Sequence, residues 1–214
     1  MLSLTAYGGR MRTSIAFSLV LTFLVAGCST EPDPDDLAGR PAGDPGDAFF
    51  ARLQALCGRA FAGRLVAHDA ADATAFADTP VMHVRDCSPD EVRIPFHVGA
   101  DRSRTWIITR VPQGLRLKHR HLHEDGSADA LSMYGGETRS RRAGSAQRQE
   151  FPADAESKTM FAASGRAASV DNVWAIEIDP GREFVYELRR PGRHFRISFD
   201  LADALAPPPA PWGG

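Results

Sequence analysis

The fold is decided by Val173-Trp-Ala-Ile-Glu-Ile178, Asp179-Pro-Gly-Arg182, Glu183-Phe-Val-Tyr-Glu-Leu-Arg189 and, after Pro191-Gly192, His194-Phe-Arg-Ile-Ser-Phe-Asp-Leu201. Side chains of a strand alternate between its two faces. That period puts Trp174, Ile176 and Ile178 on one face of a first strand. It aligns Phe184, Tyr186 and Leu188 on a second, and Phe195, Ile197, Phe199 and Leu201 on a third. Glu183, Glu187, Arg189, His194, Arg196 and Asp200 fall on the opposite side. The two Pro-Gly pairs are turns. These residues predict a three-stranded antiparallel meander with one buried and one wet face.

Upstream, the same period recurs. Gly63–His68, Val81–Cys87, Thr105–Val111, Leu115–His123 and Ala130–Tyr134 read as strands, and Glu91–Val98 alternates with Pro95 marking an edge or a bulge. Asp47–Cys57 reads instead as a short helix, with Phe49, Phe50, Leu53 and Leu56 on one stripe and Gly58 ending it. Asp154–Phe161 predicts a second short helix. Glu137–Arg148, with Arg139, Arg141, Arg142 and Arg148 among small residues, reads as a solvated loop. The expectation is a mainly β domain over 47–205: an antiparallel up-and-down barrel or sandwich with a short N-terminal helix. Gly58-Arg59-Ala60-Phe61 after that helix resembles the entry to the first strand of calycin barrels, although those usually carry Trp where Phe61 stands.

The 214 residues are 43% hydrophobic and 24% charged, with a formal net charge of −2. Such values exclude wholesale disorder and polytopic membrane architecture, and the charge argues against nucleic acid as a partner. The acidity is local. Glu31, Asp33, Asp35, Asp36, Asp44 and Asp47 stand against Arg40 in a Pro/Gly-rich stretch. Residues 28–46 therefore read as a disordered acidic tether, and 206–214, with its Pro207-Pro-Pro209 run, as a disordered tail.

The first 27 residues read as an export signal: Arg10 and Arg12, then an apolar run from Ile15 to Ala26 too short to make a stable span. Met11, which leaves a short basic segment, fits a start better than Met1. The run ends Leu24-Val-Ala-Gly-Cys28, which resembles the lipobox of bacterial lipoproteins. That resemblance implies cleavage before Cys28, acylation of its thiol and N-terminus, and a membrane as partner through that anchor. Ser29 is not the Asp associated with inner-membrane retention, so the expected place is the periplasmic face of the outer membrane. The remaining cysteines, Cys57 and Cys87, are an even pair in an oxidising compartment and predict a disulfide. The mature domain resembles small secreted proteins of Gram-negative bacteria, a resemblance that carries no activity.

One segment carries chemistry. In Leu115–His123 the alternation aligns Leu115, Leu117, His119, His121 and His123, opposite Arg116, Lys118 and Arg120. If the leucines face inward, the imidazoles continue that line towards a barrel mouth. Imidazoles two apart on a strand suit a divalent metal, with Glu124, Asp125 or His194 as further ligands. Gly114, His119, His121 and Glu124 resemble a cupin motif with altered spacing. His119-Arg-His121-Leu-His123 also resembles a metallo-β-lactamase-type motif, with His123 where Asp belongs. A solvated polar strand end explains the same residues. No GxSxG, HExxH or phosphate-binding loop occurs, so no catalytic residue is assigned. Trp106, Trp174 and Tyr186, with Leu115 and Leu117, are candidates to line an apolar ligand site. Three functions fit: a non-enzymatic β domain binding a small apolar or amphipathic ligand, a metal-binding or cupin-like protein using the histidines, and a structural or interaction lipoprotein of the envelope.

Overall fold

The computed structural model describes residues 43–214. The leader, Cys28 and the tether up to residue 42 lie outside the described residues. The described residues form one unit with its own core.

The meander forms as its alternation dictates. Strands β9 (Val173–Asp179), β10 (Glu183–Arg190) and β11 (Arg193–Leu205) pair antiparallel. Phe184 lies opposite Ile178 and Phe199, and Tyr186 opposite Ile176 and Ile197. Gly181 and Gly192 take φ of 74° and 72° in the two turns, a backbone that side chains disfavour.

Upstream lie β1 (Ala60–Ala67), β2 (Pro80–His83), β3 (Asp86–Cys87), β4 (Glu91–Val98), β5 (Asp101–Val111), β6 (Gly114–His121), β7 (Tyr134–Glu137) and β8 (Arg148–Pro152). The sheet runs β7-β6-β5-β4-β2-β1-β11-β10-β9-β8, with β3 on β4. Apart from β1 beside β11, and β2 beside β4 with the two-residue β3 set off the path, each strand pairs with its neighbours in sequence. This is an antiparallel up-and-down barrel, nearly closed, and not a sandwich.

The ends of the sheet meet at a seam between β7 and β8. Gly136 bridges Ala153, and the Asp154 N–H donates to the Gly135 carbonyl at 3.0 Å. Only glycine fits here: a Cβ on Gly135 would sit 1.9 Å from the Leu117 carbonyl oxygen, and one on Gly136 2.0 Å from that of Pro152. The Gly-Gly pair also explains a register difference from the sequence reading. The strand expected at Ala130–Tyr134 begins only at Tyr134. Helix α3 (Ala155–Ala163), capped by Asp154 accepting from the Ser157 N–H, lies beside the seam. Its Ser157 hydroxyl accepts from the Gly135 N–H at 2.7 Å, and Lys118 on the outer face reaches Asp154 and Glu156 at 3.0 and 2.8 Å.

The interior is filled rather than hollow. Phe61, Phe151, Trp174, Phe184, Phe199, Ile94, Ile108 and Leu115 are all under 2% exposed. Helix α1 (Pro45–Gln54) stops the end of the barrel where β5 ends and β6 begins. Its Phe49, Phe50 and Leu53 are fully buried in the same core. Each such side chain contributes about 1.5–3 kcal/mol by leaving water. Cys57, just after the helix, is bonded to Cys87 on β3, with Cα atoms 6.3 Å apart. The predicted disulfide is formed.

Two expectations of disorder differ from the structure. Helix α1 begins at Pro45, inside the expected tether, and its entry is tied down: Asp44 accepts from Arg141 Nε at 2.8 Å, and Asp47 pairs with Arg110. The loop expected to be merely solvated thus holds one anchor of the helix. At the other terminus, residues 206–214 dock on the barrel wall. The Trp212 N–H donates to the Arg102 carbonyl at 3.1 Å, Arg102 Nη1 donates to the Ala210 carbonyl at 2.9 Å, and Pro211 is buried. Proline content lowers the tail's self-association but says nothing of what it can rest on.

Candidate site at the barrel mouth

The end opposite α1 is open. There the inward face of β6 continues from buried Leu115 and Leu117 to buried His119 and half-buried His121. On β5 the same face carries Trp106 and then Arg104. Register sets Trp106 opposite His119 and Arg104 opposite His121, with Phe96 of β4 on the other side of Arg104.

Aromatic rings build the wall. Trp106 stacks between Phe96 (centroids 4.7 Å apart, planes 16° apart) and Tyr186 (4.4 Å, 6°). Phe76 closes one side, 5.9 Å from Phe96 and 5.2 Å from Phe195. Phe76 ends a short helix, α2 (Ala70–Ala75), that the sequence reading missed because AADATA has no apolar period. Its signal was a capping box. Asp69 accepts from the Asp72 N–H at 2.9 Å, while Asp72 accepts from the Asp69 N–H at 3.1 Å. Arg193, at the start of β11, grips both oxygens of Asp72 at 2.6 Å and also reaches Asp69, fixing α2 over the mouth. Burial works against the Asp72 charge, but these hydrogen bonds prevail and hold its carboxyl below the usual range.

The two histidines are each engaged by a tyrosine. A carbonyl only accepts, so the His119 contact with the Tyr134 carbonyl, 3.2 Å, puts the proton on Nδ1. Nε2 then accepts from the Tyr186 hydroxyl at 2.8 Å. Burial, with the neighbouring His121, pushes His119 down to about 3, so it is neutral. Burial, with the Arg104 charge, pushes His121 down to about 4. The Tyr134 hydroxyl pairs with His121 Nε2 at 3.2 Å and is raised by burial to about 12. Tyr186 is likewise raised by burial.

This arrangement does not assemble the metal set. Both ring nitrogens of His119 are taken by protein partners. His123 and Glu124 are exposed beyond the end of β6, where His123 comes only within 3.9 Å of Asp129. His194 stands on the outer face, 3.8 Å from Glu187, which is already paired with Arg148, Arg189 and Arg196. A strand puts His119 and His123 about 13 Å apart along its axis. Among the described residues no group of three His, Cys, Asp or Glu is placed to hold a metal ion.

Of the five candidate lining residues, Trp106 and Tyr186 border the mouth. Leu115, Leu117 and Trp174 belong to the packed interior, where Trp174 lies 5.0 Å from the His119 ring. The recess between these walls has a volume of about 150 Å³ and is bordered also by Arg104, Tyr134 and Leu188. Arg104 was within reach of the sequence reading, since it sits two residues before Trp106 on one strand face. Phe76, Asp72 and Arg193 were not, since nothing local says that α2 folds over the opening. No protein-family model, curated protein or solved structure matches this chain, so its function is argued from this geometry.

Proposed function

We propose that the chain is a lipoprotein of the bacterial envelope, anchored through Cys28, whose barrel binds a small ligand at its mouth without transforming it. The supporting observation is the recess itself. Aromatic rings, two neutral imidazoles and a guanidinium converge on a space that no side chain fills. Arg104, half-buried and paired through one nitrogen with Asp101, borders this space with donors to spare, which a ligand can use. The filled interior restricts the ligand to the mouth, so the reading is narrower than a calycin-like cavity running through the barrel. Among the described residues no Ser, Thr or Cys side chain borders the recess, so no hydroxyl or thiol nucleophile is paired there with His119 or His121, which favours binding over catalysis. The acidic stretch before α1 would hold the barrel off the membrane, on the periplasmic face of the outer membrane.

Two measurements test this reading. Cys28→Ser in the full chain should abolish lipid attachment in mass spectra of membrane fractions; an unmodified wild-type Cys28 would overturn the anchor. Residues 29–214, which contain the whole described fold, should show amide chemical-shift changes clustered on β5, β6 and α2 when screened against small aromatic and aliphatic compounds. A screen with no perturbation at the mouth would overturn the binding role.

A further inference from the structure

We infer that the ligand of the mouth is a single-ring aromatic carboxylate, with its ring against the Phe76–Phe96–Phe195 wall and its carboxylate on Arg104. The inference rests on the binding role proposed above and deepens it. Three observations lead there.

The first is size. A volume of about 150 Å³ is that of a cavity that holds one benzene ring, on the order of 150 Å³. The packed rings of Trp106, Phe184 and Phe199 behind it leave no passage for an alkyl chain. Trp106 lies 6.2 Å from Phe199 edge-on and 6.4 Å from Phe184 nearly parallel.

The second is shape. The walls are flat rings, which meet a planar ligand with more contact than a branched or flexible one, in offset or edge-on geometry.

The third is charge. Arg193 is consumed by Asp69 and Asp72, and both Asp72 oxygens are in turn engaged. Arg104 donates through Nη1 to Asp101, whose other oxygen accepts from the Ser103 N–H at 2.9 Å. Among the described residues Arg104 Nε and Nη2 have no hydrogen-bond partner. A guanidinium with spare donors therefore borders the recess while the carboxylates near it are satisfied. Such a fork recognises a carboxylate. Across the β5–β6 pair from Arg104 stands His121, bonded to the Tyr134 hydroxyl, and neither group brings a negative charge that would repel a carboxylate.

The test uses residues 29–214 and three single-ring probes that differ in charge, benzoate, methyl benzoate and benzylammonium, titrated by chemical-shift perturbation, with octanoate as a fourth arm. Benzoate should bind at the mouth at least about tenfold more tightly than methyl benzoate, and benzylammonium should not bind. Arg104→Gln should weaken benzoate about tenfold while leaving methyl benzoate unchanged, and Arg104→Lys should fall between. Because Arg104 is partly exposed, its variants should keep the amide spectrum of the fold, which checks that any loss is local. Equal binding of benzoate and methyl benzoate, or benzoate affinity unchanged in Arg104→Gln, would overturn the carboxylate assignment and leave the binding role standing. Tighter binding of octanoate than benzoate would overturn the ring. Silence from all four probes would overturn the ligand class; the broader screen then decides whether the mouth binds anything.

Discussion

His119 offers a direct measure of whether the mouth is built as described. It is fully enclosed, donates from Nδ1 to a carbonyl, accepts at Nε2 from Tyr186, and is held down to about 3 mainly by burial. An unfolded histidine titrates near 6.5, that is, about 6.5 in model peptides. Between those values the unfolded chain binds a proton that the folded chain refuses. Stability is therefore complete above the unfolded value and falls as the pH drops through the window. The slope from one such group is about 1.4 kcal/mol per pH unit, and the accumulated loss at pH 5 is about 2 kcal/mol relative to neutral pH. The assay is urea unfolding of residues 29–214 followed by tryptophan fluorescence, at steps from pH 7 to pH 5, in wild type and His119→Gln. The variant will be less stable at neutral pH, since a flexible amide replaces a ring packed against Tyr134 and Trp174. The informative quantity is the slope, because His121, His83 and His97, all lowered chiefly by burial, contribute to both chains alike. The carboxylates that the fold holds low titrate mostly below this window. The wild type should lose about 2 kcal/mol more than the variant on going to pH 5. Parallel losses in the two chains would refute a neutral, buried His119, and with it the argument that its nitrogens are closed to metal.

Three other outcomes are expected. Reducing the Cys57–Cys87 bond should lower stability by about 3 kcal/mol, from the chain entropy of the loop it closes, without changing the folded secondary structure; alkylation of both thiols before any reductant would show that the bond is not made. Gly136→Ala drives a Cβ into the Pro152 carbonyl, backbone that cannot rotate away, and should cost about 2 kcal/mol or more in thermal unfolding; an unchanged melting temperature would mean that β7 and β8 do not meet as described. Deleting 206–214 removes two hydrogen bonds and uncovers Pro211's contact surface, for a loss of about 1–2 kcal/mol; a truncated chain of full stability would mean that the tail does not rest on the wall.

The residues that were legible in the sequence are those whose neighbours in space are set by a period of two. The faces of β9 to β11, the inward line of β6 and the stripe of α1 all follow from local alternation plus one buried side. The stretch from Gly135 to Glu137 failed for the opposite reason. Two glycines carry no apolar signal, and their need arises only when two distant strands approach. Helix α2 failed because six small and acidic residues show no stripe, and its anchor, Arg193, lies far along the chain. The tail failed because composition reports the cost of ordering a segment alone, not the surface offered by Arg102. The mouth was half legible: His119, His121, Trp106 and Tyr186 were marked by type and spacing, while Phe76 and Arg193 enter it only through tertiary structure.

Joining β1 to β11 has a consequence for how the chain comes to be. Ala60 meets Leu205 and Arg64 meets Ser198, so the ring closes between segments made early and late. Closure over so long a loop is slow compared with zipping adjacent hairpins. Until the last strand emerges, β1 presents a bare edge ready to pair with any other chain that offers one. A nascent chain interrupted before residue 193 would retain the ten strands β1 to β10 and an unsealed flank. Such fragments are the ones expected to aggregate, and a chaperone serving this protein would need to shield that flank rather than its greasy core.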